Sequence, residues 1–245
     1  IRQRLMPHRS VMREAHQKME IINQMTGRHF ANFGSNNWVM GPGRTTDGNP
    51  ILANDPHLPL TNPALWYLVE LDSKTNGQGD LHVAGVSFSG VPGILLGHNE
   101  NIAWGGTVAF YDLGDVYTET LTSEGDGVEY DGGEVDFETR TFTFNFPDGA
   151  REVTKRYVPH HGPVLSIDED EGTAVSFKWQ VHQARTDLQA CEALGRAGDV
   201  EEARTAIRDM QTANQNFVVM DTNGDIGWFP YAEVPSRTWS DMDQY

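Results

Sequence analysis

The sequence predicts an α+β layered fold built from antiparallel sheets, with a few helices that cover them. Short apolar runs alternate with turn dipeptides over most of the chain, and strands joined by tight turns pair antiparallel. Helical periodicity is confined to three places in the sequence. A long series of strands with few helices is typical of α+β domains rather than of doubly wound parallel sheets.

Turn signals and strand patterns locate the predicted sheets. Phe142, Phe144 and Phe146 alternate with polar residues in the pattern of a half-buried strand. The turn-rich segment 123–166 predicts a group of β-hairpins that departs from the main sheet. The hairpin-type dipeptides are Asp47-Gly48, Asn76-Gly77, Asp131-Gly132, Asp148-Gly149 and Asn223-Gly224.

Helices are predicted at the start of the chain and again near residue 200. Pro7 and Ser10 suit the beginning of the first helix, and Gly27 suits its end. Apolar residues recur along it at helical spacing, which predicts a packing face rather than a cofactor site. Those residues are Met12, Met19, Ile22 and Met25. Two later helices are predicted at Asp187–Leu194 and Asp199–Met210, and Asp199 is the predicted N-cap of the second.

The charge of the chain excludes two classes of partner. Its 245 residues carry 35 acidic and 18 basic side chains, a net charge of −17. Such a surface repels nucleic acid and anionic membranes. Both an ordinary acidic protein and adaptation to high salt, which screens the repulsion, fit this composition.

Cys191 is the single cysteine, so no internal disulfide forms.

Familiar catalytic motifs do not occur in the sequence. We find no GxSxG elbow, no P-loop, no dinucleotide fingerprint and no CxxC pair. Gly34-Ser35 by itself suits a turn or a helix cap as well as a nucleophile. Any function for Ser35 must therefore be argued from the residues around it.

A series of short sequence blocks carries the stronger signal. Gly34-Ser35-Asn36-Asn37-Trp38-Val39 comes first, and Asn54-Asp55-Pro56-His57 follows it. In this order and spacing the blocks resemble the start of the large subunit of penicillin acylases and of related acyl-homoserine-lactone and cephalosporin-type acylases. The later blocks are Gly97-His98-Asn99, Ala103-Trp104-Gly105, Asp112-Leu113-Gly114-Asp115, His161-Gly162-Pro163-Val164 and Asp221–Gly227.

The resemblance implies an N-terminal-nucleophile hydrolase with an αββα layered fold, represented here by an incomplete piece. Residues 1–34 are then expected to be the helical end of a spacer or pro-segment, and residues 35–245 the N-terminal part of the hydrolase domain. The chain begins at Ile1 without an initiator Met, so we expect a fragment that spans the self-cleavage site. The resemblance implies a periplasmic or extracellular location, which the residues themselves leave open.

The resemblance to this family implies that Ser35 is the catalytic nucleophile. Cleavage before Ser35 would give that residue a free α-amino group, whose pKa of about 8 suits a general base near neutral pH. Nucleophile and base then lie in one residue, so neither His nor Asp is required. The cleavage itself is expected to be autocatalytic, with Ser35 attacking the Gly34 carbonyl. The substrate is expected to be an amide, such as a β-lactam or an acyl-homoserine lactone.

The resemblance also implies two further residues at the reaction centre. The backbone N–H of Val108 corresponds to an oxyanion-hole donor, and His57 lies where the family places a residue that contacts the reacting groups. Asn54, Asp55 and His98 are interpreted as bracing loops. The family's side-chain oxyanion donor is an Asn farther along, and no Asn follows Asn223; a chain of these 245 residues alone is therefore expected to be inactive.

The sequence predicts a structural Ca²⁺ site at Asp112 and Asp115. No organic cofactor is expected. Two carboxylates three residues apart supply part of the six to eight oxygens that Ca²⁺ binds, and the resemblance implies a Ca²⁺ at this place. The expected partners are a small amide substrate and the rest of the chain's own precursor, comprising the small and large subunits. Leu58, Leu95, Leu96 and Trp66 are candidates for the acyl pocket.

Two other functions remain open from the sequence. One is a non-enzymatic, calcium-binding β-rich module in which Gly34-Ser35 is only a turn. The other is a metal-dependent amidase that uses His57, His82 and His98. The other histidines lack zinc-type spacing and are interpreted as structural. They are His8, His16, His29, His160, His161 and His182, and outside the metal-dependent alternative the same interpretation applies to His82.

Overall fold

Antiparallel strands make up most of the structure, as the hairpin dipeptides predict, and three α-helices accompany them in the described residues. The computed structural model describes residues 9–25, 34–58, 61–183 and 186–237. Within them no helix has the length and apolarity needed to cross a membrane. The helices are α1 (Arg9–Met25), α2 (Asp187–Arg196) and α3 (Val200–Arg208).

The chain divides into two units. The first unit contains Ile1–Phe30 and Leu113–His182, and the second contains Ala31–Asp112 and Gln183–Tyr245. The strands, in chain order, are β1 (Gly34–Met40), β2 (Ile51–His57), β3 (Trp66–Asp72), β4 (His82–Phe88), β5 (Leu96–Asn99), β6 (Ile102–Val108), β7 (Gly114–Thr120), β8 (Gly127–Tyr130), β9 (Gly133–Asp136), β10 (Glu138–Phe146), β11 (Gly149–Val158), β12 (Gly162–Asp168), β13 (Thr173–Trp179), β14 (Gln215–Asp221) and β15 (Ile226–Tyr231).

In the first unit, helix α1 packs on a five-stranded antiparallel sheet of order β10-β11-β12-β13-β7. Val11 and Ala15 are buried against Val175 of β13, with Met12 of the predicted packing face beside them. The side chains of Met19, Ile22 and Met25, the rest of that face, lie outside the described residues. The ends proposed for this helix, Pro7 and Gly27, lie outside the described residues. Segment 123–166 contains the β8–β9 and β10–β11 hairpins and the start of β12.

The second unit is built on a six-stranded antiparallel sheet of order β15-β14-β6-β5-β4-β3. Helices α2 and α3 cover one face of this sheet and bury Leu194 and Ile207 against Trp104 and Val219. Asp199 caps α3 as predicted, because its Oδ1 accepts a hydrogen bond of 2.8 Å from the Glu202 N–H. Helix α3 ends at Arg208, two residues earlier than predicted.

Strands β1 and β2 form a two-stranded ribbon that packs on the six-stranded sheet. The Asn54 side chain joins the two layers: its Nδ2 donates to the Gly106 carbonyl at 3.1 Å, and its Oδ1 accepts from the Gly106 N–H at 3.0 Å. On the other strand of the ribbon, Asn37 Nδ2 donates to the Asn216 carbonyl at 2.9 Å. A Cβ added at Gly105 would lie 2.8 Å from Asn54 Cβ, so this close approach requires glycine.

This close approach generates a stability prediction. Gly105→Ala places a methyl group where Asn54 lies, and overpacking of this kind lowers the free energy of unfolding by about 1–3 kcal/mol. Gly43→Ala is the matched control, because a Cβ there meets nothing within 4 Å and such a change stays within about 0.5 kcal/mol. Urea unfolding of both variants measures the difference, and equal stabilities would show that the ribbon does not depend on this contact.

Candidate active site

Ser35 is the second residue of β1, and its position follows from the pairing and alternation of that strand. It lies opposite Pro56 of β2. Alternate residues of β1 are the more buried ones, so Ser35 and Asn37 share the inward face of the ribbon. The Ser35 hydroxyl donates a hydrogen bond of 2.7 Å to the Gly34 carbonyl. The hydroxyl therefore lies against the carbonyl of the peptide bond that the sequence predicts to be cleaved.

His57 lies beside that peptide bond. It is the last residue of β2 and pairs with Gly34, and a Cβ built on Gly34 would lie 3.7 Å from His57 Nδ1. The other ring nitrogen, Nε2, is 2.9 Å from Asp55 Oδ2, and 48% of the His57 side chain is exposed. Asp55 thus holds the ring next to Gly34, whose carbonyl belongs to the peptide bond that the sequence predicts to be cleaved.

Ser35 opens onto an apolar cavity of about 350 Å³ in the second unit. Val108, at the end of β6, lies on the same cavity wall, so the structure brings these two predicted residues together. His57 is absent from the lining, although its neighbours Pro56 and Leu58 belong to it. The four residues suggested for the acyl pocket, Leu58, Trp66, Leu95 and Leu96, all line this cavity.

Sequence reasoning missed much of the cavity wall. Trp66 stacks on Phe88 of β4, with ring centroids 4.5 Å apart. Helix α2 and the segment before β14 supply further apolar groups, and no local pattern distinguishes these from ordinary core residues. The missed lining residues are Phe88, Val91, Leu188, Cys191, Met210, Ala213 and Phe217.

A few polar atoms interrupt this apolar wall. Asp187 Oδ1 accepts hydrogen bonds from the Thr212 N–H at 2.9 Å and from its hydroxyl at 2.7 Å. Asp187 Oδ2 and Trp66 Nε1 are buried and have no hydrogen-bond partner within the described parts of the chain. Burial, followed by the nearby Asp187 carboxylate, raises the pKa of the Cys191 thiol to about 11, so this thiol is not a nucleophile near neutral pH.

The Asn54 side chain positions the strand that carries Val108. By binding both backbone groups of Gly106, it fixes β6 two residues before Val108. Its Nδ2 also donates to the Asn36 carbonyl at 3.1 Å, so one amide ties β6 to the strand of Ser35. The sequence predicts a bracing role for Asn54, and the structure shows that it braces strands rather than loops.

Comparison with known proteins identifies the family to which this arrangement belongs. A family profile described as Penicillin amidase matches residues 3–244. The chain belongs to the penicillin amidase family. The sequence-based resemblance is therefore confirmed.

Individual relatives agree with this membership. The chain is 33% identical to the acyl-homoserine lactone acylase QuiP of Pseudomonas aeruginosa, over 83% of this chain and 25% of that protein. It is also 33% identical to the penicillin acylase 2 proenzyme of Pseudomonas sp. strain SE83, over 83% of this chain and 26% of that one. The chain thus spans about a quarter of the length of these curated relatives.

A solved member of the family has the same architecture. The thermostable penicillin G acylase of Alcaligenes faecalis matches with a TM-score of 0.71 and 29% identity, over 80% of this chain and 35% of that chain. The predicted N-terminal-nucleophile hydrolase fold is therefore confirmed. The described residues supply a helical layer, the six-stranded sheet and the β1–β2 ribbon.

The two aspartates predicted to bind calcium have different surroundings. The Asp112 side chain is 74% exposed, and its Oδ2 lies 3.3 Å from Arg237 Nη2. The same Arg237 nitrogen donates to the Asp112 carbonyl at 3.1 Å. Asp115 is in β7, opposite Lys178 of β13. Carboxylate oxygens suit Ca²⁺, but at Asp112 a guanidinium already balances the charge.

The histidines of the metal-dependent alternative do not form a cluster. His57 is held by Asp55, His82 Nε2 is 2.9 Å from Glu70 Oε1, and His98 Nδ1 is 3.3 Å from the Asn99 carbonyl. Across residues 9–25, 34–58, 61–183 and 186–237, one group of three ligand side chains has donor atoms within 4.8 Å of one another. That group contains none of these three histidines.

Proposed function

We propose that the full-length protein is an acylase that hydrolyses the amide bond of a small molecule through a Ser35 acyl-enzyme. The observation that carries this proposal is the position of Ser35 beside an apolar cavity that Val108 also lines. Membership of the penicillin amidase family supports the same chemistry. In this proposal Ser35 is the nucleophile, Val108 supplies an oxyanion donor through its backbone N–H, and His57 assists at the cleaved carbonyl.

The first step we propose is cleavage of the chain at Gly34-Ser35. The Ser35 oxygen attacks the Gly34 carbonyl carbon, the C–N bond breaks, and the nitrogen of Ser35 takes up a proton to become a free amine. Water then hydrolyses the Gly34 ester, which releases a new C-terminus and the Ser35 hydroxyl. The hydrogen bond of 2.7 Å between that hydroxyl and the Gly34 carbonyl supports this step, because the two reacting groups are already adjacent.

The second step is hydrolysis of the substrate. The free α-amino group of Ser35 accepts the hydroxyl proton, through one water, as the oxygen attacks the amide carbonyl of the substrate. The Val108 N–H stabilises the resulting oxyanion, a contribution worth about 3 kcal/mol per donor. The ammonium then protonates the leaving amine, and water hydrolyses the acyl ester of Ser35.

The cavity indicates the kind of acyl group that this enzyme would remove. Leucine, aromatic and sulfur side chains form most of its wall, so it suits an aliphatic or arylacetyl group. Named relatives include both an acyl-homoserine lactone acylase and a penicillin acylase at the same 33% identity. We therefore propose an apolar acyl amide as the substrate class, with either leaving group.

The remaining part of the precursor is the proposed partner of this chain. One relative is named as a proenzyme, and the chain spans 26% of it. We propose that the rest of the precursor completes the oxyanion hole and the substrate site. The 245 residues alone are then expected to show little activity, because loss of a single oxyanion donor lowers the rate about 10²–10³-fold.

The first functional prediction concerns the nucleophile in the full-length protein. Ser35→Ala is expected to abolish chain cleavage and to lower hydrolysis by on the order of 10⁶-fold, the effect of losing a serine nucleophile in other hydrolases. Ser35→Cys is expected to retain cleavage, because a thiol can make the same attack. Ser123→Ala, at an exposed serine of the first unit, is the control. Gel analysis and N-terminal sequencing follow cleavage, and efficient cleavage of Ser35→Ala would exclude the proposal.

The second functional prediction concerns the acyl cavity. Ala213→Leu adds bulk to its wall and is expected to lower kcat/KM for a decanoyl amide relative to an acetyl amide by about tenfold or more. Ala232→Leu makes the same change in the same unit at a position outside the lining. Hydrolysis rates on both substrates give the ratio. An unchanged ratio in Ala213→Leu would place the acyl group elsewhere.

We also propose, as a separate point, that Asp112 and Asp115 contribute to a structural Ca²⁺ site. The support is chemical: two carboxylates three residues apart suit part of a Ca²⁺ shell. At Asp112 the ion would have to displace or share the Arg237 contact of 3.3 Å. No catalytic step involves this ion.

The calcium proposal predicts a ligand-dependent change in stability. The Asp112→Asn, Asp115→Asn double variant should melt at a lower temperature than the parent in Ca²⁺, and at a similar temperature in chelator, because the ion stabilises only by binding the folded state. Differential scanning calorimetry in both buffers measures this. If the parent melts at the same temperature with Ca²⁺ and with chelator, these aspartates bind no calcium.

A further inference from the structure

A second cluster of chemically active side chains lies in the first unit and plays no part in the proposed hydrolysis. It consists of Glu119 on β7 and of His160 and His161 in the turn between β11 and β12. One donor atom from each residue lies within 4.8 Å of the others. The Glu119 side chain is only 4% exposed and that of His161 13%, so this is not a group of surface charges.

The three side chains are held in place by contacts around them. His161 Nδ1 is 2.8 Å from Glu119 Oε1, and the Ser176 hydroxyl donates to the same carboxylate oxygen. Tyr117 stacks on the His161 ring with centroids 3.6 Å apart, and Tyr130 stacks on the His160 ring at 3.7 Å. Both imidazoles are therefore restrained before any ligand binds.

One atom of the cluster lacks a partner. His160 Nε2 is buried and makes no hydrogen bond to any of the described residues. A buried polar atom left in this way is unfavourable, and a bound ion is one way in which such an atom is satisfied in native proteins.

We propose that Glu119, His160 and His161 bind Zn²⁺, with a water as fourth ligand. Two imidazoles and one carboxylate form a donor set that Zn²⁺ accepts, whereas Ca²⁺ prefers oxygen ligands alone. Bonds of about 2.0–2.1 Å place tetrahedral donors about 3.3 Å apart. The 2.8 Å between His161 Nδ1 and Glu119 Oε1 needs to open only slightly to admit the ion.

The ion would act as a cross-link within the first unit. Strand β7 pairs with β13, and the turn that carries the two histidines joins β11 to β12. A metal shared by Glu119 and this turn connects parts of the sheet that are not hydrogen-bonded neighbours. Tyr130 belongs to β8, so its stacking on His160 brings the β8–β9 hairpin to the same point. The role is structural and independent of Ser35 chemistry.

Zinc binding is tested directly on the full-length protein after treatment with chelator. Competition between the protein and a chromophoric chelator for added Zn²⁺ gives stoichiometry and Kd, and Co²⁺ substitution gives the absorption spectrum of a four-coordinate site. We expect one tightly bound Zn²⁺ and a rise in Tm with added Zn²⁺. Absence of stoichiometric binding to the unaltered protein would overturn the proposal without recourse to any variant.

Substitutions then assign the site. His160→Gln is expected to weaken Zn²⁺ binding at least about tenfold, since even the loss of residues around metal ligands has that effect. Because His160 Nε2 makes no hydrogen bond to the described residues, this variant carries the least risk to folding. His82→Gln is the control, because it makes the same substitution outside the cluster, at a histidine that is paired with Glu70 at 2.9 Å as His161 is paired with Glu119 at 2.8 Å. An unchanged Kd in both His160→Gln and His161→Gln would show that the zinc binds elsewhere.

Discussion

The hydrogen bonds between the Asn54 amide and both backbone groups of Gly106 hold the candidate active site together. At 3.0 and 3.1 Å they join the β1–β2 ribbon to the six-stranded sheet, and they do so where Gly105 allows the layers to approach closely. The third bond of Asn54, to the Asn36 carbonyl, extends the connection to the strand of Ser35. A side-chain amide suits this task because it both donates and accepts. Loss of the Asn54 amide would leave the buried N–H and carbonyl of Gly106 unpaired, and each unpaired group would lower the free energy of unfolding by about 1–3 kcal/mol.

This arrangement explains how a serine can be positioned for catalysis without a triad. The ribbon places the Ser35 hydroxyl against the Gly34 carbonyl and, on its inward side, against a cavity walled by α2 and the six-stranded sheet. In the proposed mechanism cleavage of the chain creates the general base, the α-amino group of Ser35, so no other side chain has to be placed beside Ser35 to act as a base. The Cys191 thiol at the same cavity does not compete, because its pKa is raised to about 11.

Local features of the structure were predictable from the sequence, whereas features that depend on distant contacts were not. The Asp131-Gly132, Asp148-Gly149 and Asn223-Gly224 turns and the Asp199 cap are encoded within a few residues, and they lie where the sequence predicts them. The block resemblance located Ser35 and Val108, which the fold brings to one cavity. A bracing role for Asn54 was expected, but its partners on β6 and β1 were not, because they are far away in sequence. The Glu119–His160–His161 cluster was not predicted, because Glu119 is distant from the two histidines in sequence and adjacent histidines lack the spacing of known zinc motifs. The guanidinium beside Asp112 could not be anticipated for the same reason.

The central claim is that Ser35, once its amine is free, carries the acyl group during turnover. Peptide mapping by mass spectrometry of the full-length, cleaved protein, quenched during reaction with a phenylacetyl ester, tests this most directly. We expect the added acyl mass on the peptide that begins with Ser35, attached through oxygen and lost on further incubation. An active enzyme whose acyl group is found on any other residue, or whose peptide still joins Gly34 to Ser35, would contradict the account.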